Sequence, residues 1–233
     1  DVVATARSAS HRDEITKTLG VTTSGDNTAA ARDADLVILG VKPYAAVEVL
    51  GKVSGVLKAD ATVVSIAAGV TTEKLLRAWQ GEVVRVMPNT PVQVGKGAFI
   101  VSPAPGAEKA ATKVGDLLES VGVVVTVPEK LHDAATAVSG SGPAYVFLVA
   151  EAMIDAAVAM GLPRNQASQL TVATLAGSAE LLTKGEHPAV LRSTVTSPGG
   201  TTAAALAALE AGGLRSTFAT AMTACRDRAA DLS

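Results

Sequence analysis

Hydrophobic positions in the first half of the chain fall into short, nearly continuous β-branched runs separated by amphipathic stretches. The pattern predicts strands over residues 2–5, 36–41, 62–66, 83–87, 98–101 and 123–127, with helices over 10–19, 44–57, 72–80 and 107–121 between them. Runs such as Leu36-Val37-Ile38-Leu39, apolar at every position, suit strands covered on both faces. Strand–helix alternation of this kind predicts an α/β fold with a largely parallel, doubly wound sheet. Beyond Val127-Pro128 the strand pattern stops. From residue 130 to 232 only helical patterns remain, divided at 139–143, 161–163, 185–188, 197–200 and 212–213. The predicted domains are therefore residues 1–128, α/β, and residues 129–233, all-helical.

Composition narrows this picture. Hydrophobic residues make up 48% of the 233 and aromatic residues only 3%, so the core is predicted to be aliphatic and alanine-rich. Helices rich in Ala, Gly and Ser approach closely, and a helical domain with this much apolar surface is expected to bury it in an oligomer. A formal net charge of −2 offers no basic footprint for nucleic acid or an acidic membrane surface. The single cysteine, Cys225, excludes an internal disulfide and favours a reducing compartment. No Cys/His cluster suggests a metal. There is no signal-peptide pattern, and the longest uncharged stretch, 134–150, is broken by Ser139-Gly140-Ser141-Gly142-Pro143, which argues against a membrane span. The expectation is a soluble, cytoplasmic protein.

In a doubly wound sheet, ligands bind beyond the carboxyl ends of the strands. Three consecutive strand ends carry punctuated loops: Leu39-Gly40-Val41-Lys42-Pro43, Ile66-Ala67-Ala68-Gly69 and Met87-Pro88-Asn89-Thr90-Pro91. Any one of them is equally a plain turn; three in succession point to a ligand edge. The G-x-G-x-x-G turn of a dinucleotide site is absent. The chain opens on Asp1-Val2-Val3-Ala4-Thr5 without an initiator Met, so the first strand and its Gly-rich turn are expected to lie upstream of this sequence. The run 2–8 then becomes the second strand, whose end meets the adenosine ribose. NAD sites place an acid there, and NADP sites accept Arg. Here Ala4-Thr5-Ala6-Arg7-Ser8-Ala9-Ser10 offers a guanidinium flanked by two hydroxyls and no acid before Asp13, which favours a 2′-phosphate. The competing reading of Arg7 is a solvated surface cation.

Four motifs together resemble the pyrroline-5-carboxylate reductases: Val41-Lys42-Pro43, Val86-Met87-Pro88-Asn89-Thr90-Pro91, Gly140-Ser141-Gly142-Pro143-Ala144-Tyr145 and, most specifically, Thr196-Ser197-Pro198-Gly199-Gly200-Thr201-Thr202. The resemblance covers the whole chain in matching order, apart from the N-terminal strand and Gly-rich turn. It implies a Rossmann-type dinucleotide-binding domain followed by a helical substrate-binding and dimerisation domain. It implies hydride transfer from NAD(P)H to the imine carbon of 1-pyrroline-5-carboxylate, giving L-proline in the last step of proline biosynthesis. NADP(H) is the expected cofactor, with NAD(H) as the alternative. A homodimer is expected, and beyond it a decamer of dimers. Carried over by position, Ala6, Arg7 and Ser8 fall at the adenosine-phosphate end. Asn27, Gly40, Val41, Lys42 and Pro43 line the cofactor, with Ile66, Ala67 and Ala68 close by. Gly40 stands where Ala is common.

Ser197, Gly199, Gly200, Thr201 and Thr202 fall at the substrate. Glycines at a helix N-terminus let free backbone N–H groups approach a carboxylate. The Thr202 hydroxyl is then placed to hydrogen-bond the ring nitrogen, and it is the expected catalytic group. Thr201 stands where some members have Ala. An ordinary capped helix, with Thr201 or Thr202 as N-cap and Gly212 as C-cap, accounts for the threonines but not for Gly199-Gly200. Reducing a protonated imine asks little acid–base chemistry of the protein. Accordingly His11, His132 and His187 read as surface or capping residues, and Cys225 as a small buried hydrophobe. Lys42 is either a charge near cofactor or substrate, or a strand-end cation. The rivals are another NADP-dependent imine or β-hydroxyacid reductase, for which Lys184 is the only lysine after Lys130, and a non-catalytic NADP-binding protein.

Overall fold

Every β-branched run of the first half forms a strand in the computed structural model, which describes residues 1–231. Strands β1 (Val3–Thr5) and β2 (Thr22–Ser24) pair in parallel as a two-stranded sheet. Strands β3 (Leu36–Leu39), β4 (Thr62–Ser65), β5 (Glu82–Met87), β6 (Gly97–Pro103) and β7 (Gly122–Thr126) form a five-stranded sheet in sequence order. β3, β4 and β5 are parallel, β6 runs antiparallel to β5, and β7 runs parallel to β6. The reversal follows from the connection. Only residues 88–96 join β5 to β6, and a parallel crossover needs a dozen residues or more.

The doubly wound order 3-2-1-4-5-6 explains why two sheets are seen where one was expected. The β1–β2 pair takes positions 2 and 3 and β3 takes position 4. Among the described residues no strand fills the place between them. Val3 and Ile38, at 47% and 60%, stay exposed where an interior strand would be covered.

Helices α1 (Ala9–Leu19), α2 (Asn27–Ala31), α3 (Pro43–Val53), α4 (Thr72–Leu76) and α5 (Glu108–Leu118) alternate with the strands. Neither β2 nor α2 was expected, because each is short and lies in a polar stretch. The core is aliphatic: Ala46, Leu50 and Val53 of α3 and Ala110, Ala111 and Val114 of α5 bury with Val63, Val83, Val84 and Val101 of the sheet. β6 and β7 start so close together that a Cβ on Gly122 would stand 2.1 Å from the Gly97 carbonyl oxygen, so no larger residue fits there.

The remaining elements are helices α6 (His132–Ser139), α7 (Gly142–Ala159), α8 (Arg164–Leu182), α9 (Pro188–Thr194), α10 (Thr201–Ala211) and α11 (Leu214–Asp231), divided at the five expected places. The chain forms two compact units, one of residues Asp1–Gly140 with the end of α11 from Cys225, the other Ser141–Ala224. α6 therefore belongs with the sheet, although the strand pattern ends before it. The second unit buries little by itself. α7 has no buried residue, and Val146, Phe147, Leu148 and Met160 are all exposed. Within Glu129–Ala159 one window long enough to cross a membrane has mean hydropathy 1.5 and no buried residue. Leu170 and Val172 of α8 are exposed as well. Tyr145 and Phe218 pack edge-to-face inside this unit, with ring centroids 6.4 Å apart.

Candidate functional site

The cofactor candidates lie in the first unit, at strand ends. β1 runs into the turn Ala6-Arg7-Ser8, where Ser8 N-caps α1 by accepting from the His11 amide at 3.3 Å. The Arg7 side chain is exposed and makes no hydrogen bond or ion pair among the described residues. It is close enough to help Lys52 hold the Glu48 carboxyl below its ordinary range. Ser10 Oγ donates to Ser8 Oγ at 3.4 Å. An exposed guanidinium in the same turn as two hydroxyls is a donor set suited to a phosphate. Asn27 is the first residue of α2, immediately after the N-cap Asp26, whose carboxylate accepts from Thr28 and Ala29.

At the end of β3, Gly40 has space for a Cβ, so an alanine would fit there without displacing a neighbour. Lys42 N-caps α3 through its backbone, and Pro43 fills the first helical position, where a missing N–H costs nothing. Lys42 is exposed, with no ion pair among the described residues. At the end of β4, Ile66 is exposed while Ala67 is buried in the core, its amide donating to Ser65 Oγ at 3.3 Å. Ala68, half-buried, leads into Gly69, whose φ of 72° turns the chain toward α4. In the third punctuated loop Asn89 accepts from the Ala98 amide and donates to the Ser139 carbonyl, so both ends of its side-chain amide are engaged.

The substrate candidates lie together in the second unit. Gly200 N–H donates to the Ser197 carbonyl at 3.0 Å, closing a turn with Pro198 and Gly199 at its centre. Gly199 has φ 67°, the left-handed value that a type II turn requires after proline. The N-cap of α10 is Gly200, with no side-chain cap, which corrects the expectation that Thr201 or Thr202 caps the helix. Those threonines are instead its first two residues. Their hydroxyls make no hydrogen bond among the described residues, and the first internal helix bond begins at the Ala204 amide. The first-turn amides of Thr201, Thr202 and Ala203 are thus left as donors. Gly212 is the C-cap, as expected. Ser197, Gly199 and Thr201 are exposed, and Gly200 and Thr202 half-buried.

Sequence reasoning missed a buried polar cluster in the first unit. Arg85, in the middle of β5 and 3% exposed, donates to Glu129 at 2.9 Å and lies 3.8 Å from Asp133. Glu129 also accepts from the Thr72 amide at 2.7 Å and from the Thr72 hydroxyl. Burial raises the Glu129 carboxyl, but the bonds from Thr72 and Arg85 outweigh it and hold the group below its ordinary range. His132, 1% exposed, shares a 2.8 Å hydrogen bond with Ser102; burial, with Arg85 adding to it, pushes its pKa down to about 4. Its reading as a surface residue is therefore corrected, while His187 does cap α9 and His11 is exposed. Cys225 is half-buried rather than buried. The missed signal was a charge inside an otherwise apolar strand, matched by Glu129, His132 and Asp133 at helical spacing.

Residues 129–232 match the family model described as pyrroline-5-carboxylate reductase dimerisation, and residues 1–69 match that of NADP oxidoreductase, coenzyme F420-dependent. The chain is 43% identical over 239 residues to the pyrroline-5-carboxylate reductase of Corynebacterium melassecola, covering 100% of this chain and 88% of that protein. It superposes on the solved pyrroline-5-carboxylate reductase of Coxiella burnetii with TM-score 0.92 and 37% identity, over 99% of this chain and 88% of that one. The Plasmodium falciparum pyrroline carboxylate reductase, solved with NADP bound, matches with TM-score 0.87 and 33% identity over 99% of this chain and 86% of its own. In the rival class a catalytic lysine stands in the second domain, whereas here Lys184 follows the end of α8 and is engaged with Glu180 at 3.0 Å. The chain belongs to the pyrroline-5-carboxylate reductase family of NAD(P)H-dependent oxidoreductases.

Proposed function

We propose that the chain reduces 1-pyrroline-5-carboxylate to L-proline with NADPH, and that the turn Ser197–Thr202 is its substrate site. The nucleotide would be held by the β1 turn Ala6-Arg7-Ser8, by Asn27, by the segment from Gly40 to Pro43 and by the backbone of Ile66, Ala67 and Ala68. When bound, it supplies the hydride. What falls to the protein is binding and orientation. The observation that carries the reading is the α10 turn. Its left-handed Gly199 and uncapped Gly200 leave first-turn amides and two unengaged hydroxyls at one helix end. Such amides, at the positive end of an eleven-residue helix, are suited to the substrate carboxylate. The Thr202 hydroxyl is suited to the ring nitrogen, fixing which face of the imine meets the hydride. A held geometry is then the main source of acceleration.

The exposed apolar helices of the second unit, in a domain of the dimerisation family, support a homodimer, and assembly of dimers into a decamer is the larger proposal. The same partner surface accounts for the uncovered apolar window within Glu129–Ala159 without a membrane. A soluble cytoplasmic enzyme without metal completes the reading. Imine-dependent loss of the reduced nicotinamide absorbance, followed with NADPH and NADH side by side, tests it. No oxidation from folded protein with either nucleotide would overturn the assignment.

A further inference from the structure

Arg12 stands one helical turn beyond the Ala6–Ser8 turn and makes an arrangement that neither core packing nor helix formation calls for. Its Nη1 donates to two successive carbonyls, Ala6 O at 2.8 Å and Arg7 O at 2.9 Å. Its own amide donates to Ser8 O at 3.2 Å, and the Ala6 amide donates to Ser24 O at 3.2 Å. The guanidinium lies against Gly25, where a Cβ would come within 3.1 Å of Nη1, so the small residue leaves room for it. Two carbonyls of the turn, those of Ala6 and Arg7, are thereby held by the Arg12 guanidinium, while that of Ser8 takes the ordinary first helix bond from the Arg12 amide.

We infer that Arg12 is the positioning residue that sets the preference for NADPH over NADH, acting through the backbone of the Ala6–Ser8 turn. The inference rests on the reading of that turn as the 2′-phosphate site. Carbonyl oxygens free to face a phosphate would repel it. With the Ala6 and Arg7 carbonyls turned into one cation and the Ser8 carbonyl turned into the helix, the Arg7 guanidinium and the Ser8 and Ser10 hydroxyls are left as the groups that meet the ligand. The preference then depends on a geometry that Arg12 holds before any nucleotide binds. Charge alone does not replace it, because a lysine ammonium stops nearer the backbone than Arg12 Nη1, the one nitrogen that meets both carbonyls.

The test uses the whole protein in Arg12→Lys, Arg12→Met and Arg7→Met forms. Two quantities are read: amide hydrogen exchange at residues 6–12 without nucleotide, and the ratio of NADPH to NADH affinity by titration calorimetry. Both Arg12 variants should exchange faster in the turn and lose about tenfold of the affinity ratio, the scale of one charge-assisted contact, with lysine giving no rescue. A ratio restored by Arg12→Lys, or exchange unchanged in both variants, overturns the positioning role. Faster exchange with an unchanged ratio overturns it as well. If the unsubstituted protein shows no preference, or Arg7→Met leaves the preference intact, the phosphate reading of the turn falls and takes this inference with it. Loss of preference in Arg7→Met with none in the Arg12 variants removes Arg12 alone.

Discussion

Arg85 Nη1 lies 2.9 Å from Glu129 Oε1, joining the middle of β5 to the turn that leads into α6. Asp133, the other nearby acid, stands at ion-pair distance but beyond hydrogen-bond reach. Arg85 Nε and Nη2 have no hydrogen-bond partner among the described residues, so Glu129 is its principal counter-charge. The contact explains why the sheet unit extends through α6 to Gly140. α6 is held at its start by this cluster and at its end by the Asn89–Ser139 bond.

Removing the negative partner should be costly. Glu129→Gln leaves a buried guanidinium without its charge, and the expected loss is about 3 kcal/mol, measured by urea unfolding. Arg85→Met combined with Glu129→Gln should lose less than the single Glu129 change. A double variant no better than the single one would mean that the charge itself is not what matters.

Stability should also depend on His132. Its folded pKa of about 4 lies below the ordinary 6.5. The unfolded chain therefore takes up the proton first, so the contribution is complete above the unfolded value and is lost as pH falls toward the folded one. The loss across that window approaches roughly 3 kcal/mol by linkage. Glu129, held below its ordinary value, adds a further loss beginning where the unfolded carboxyl protonates. His132→Gln should flatten the stability–pH curve between pH 6.5 and 4 while keeping the acidic limb from Glu129.

Thr202→Ala should lower turnover by about a hundredfold, within the range of a lost positioned donor, and leave NADPH affinity nearly intact. Thr202→Ser should recover most of the activity. Steady-state kinetics with nucleotide titration separates the two effects, and equal loss of both would contradict the assigned role.

Gly199 is left-handed at φ 67° with open space around it, so an added Cβ meets conformational strain rather than a clash. Gly199→Ala should cost about 1–2 kcal/mol in thermal or urea unfolding and raise KM for the imine more than that for NADPH. An unchanged KM would detach the turn from substrate binding.

The sequence by itself determined the strands of the main sheet, the helical second half with its five breaks, and the glycine-centred turn at 197–200 that opens α10. Those features are local. Unbroken β-branched runs, glycine and proline at fixed positions, and short repeating apolar spacing act within a few residues of one another. Only the tertiary structure decided what each charge faces. It turned β6 antiparallel, moved the N-cap from the threonines to Gly200, buried His132 against Ser102, and brought Arg85, Thr72 and Glu129 together from β5, α4 and the turn before α6. It likewise gave Arg12 to the carbonyls of Ala6 and Arg7. A charge in a sequence has no partner until the chain has folded around it, and burial, which makes that partner necessary, is a property of the whole fold.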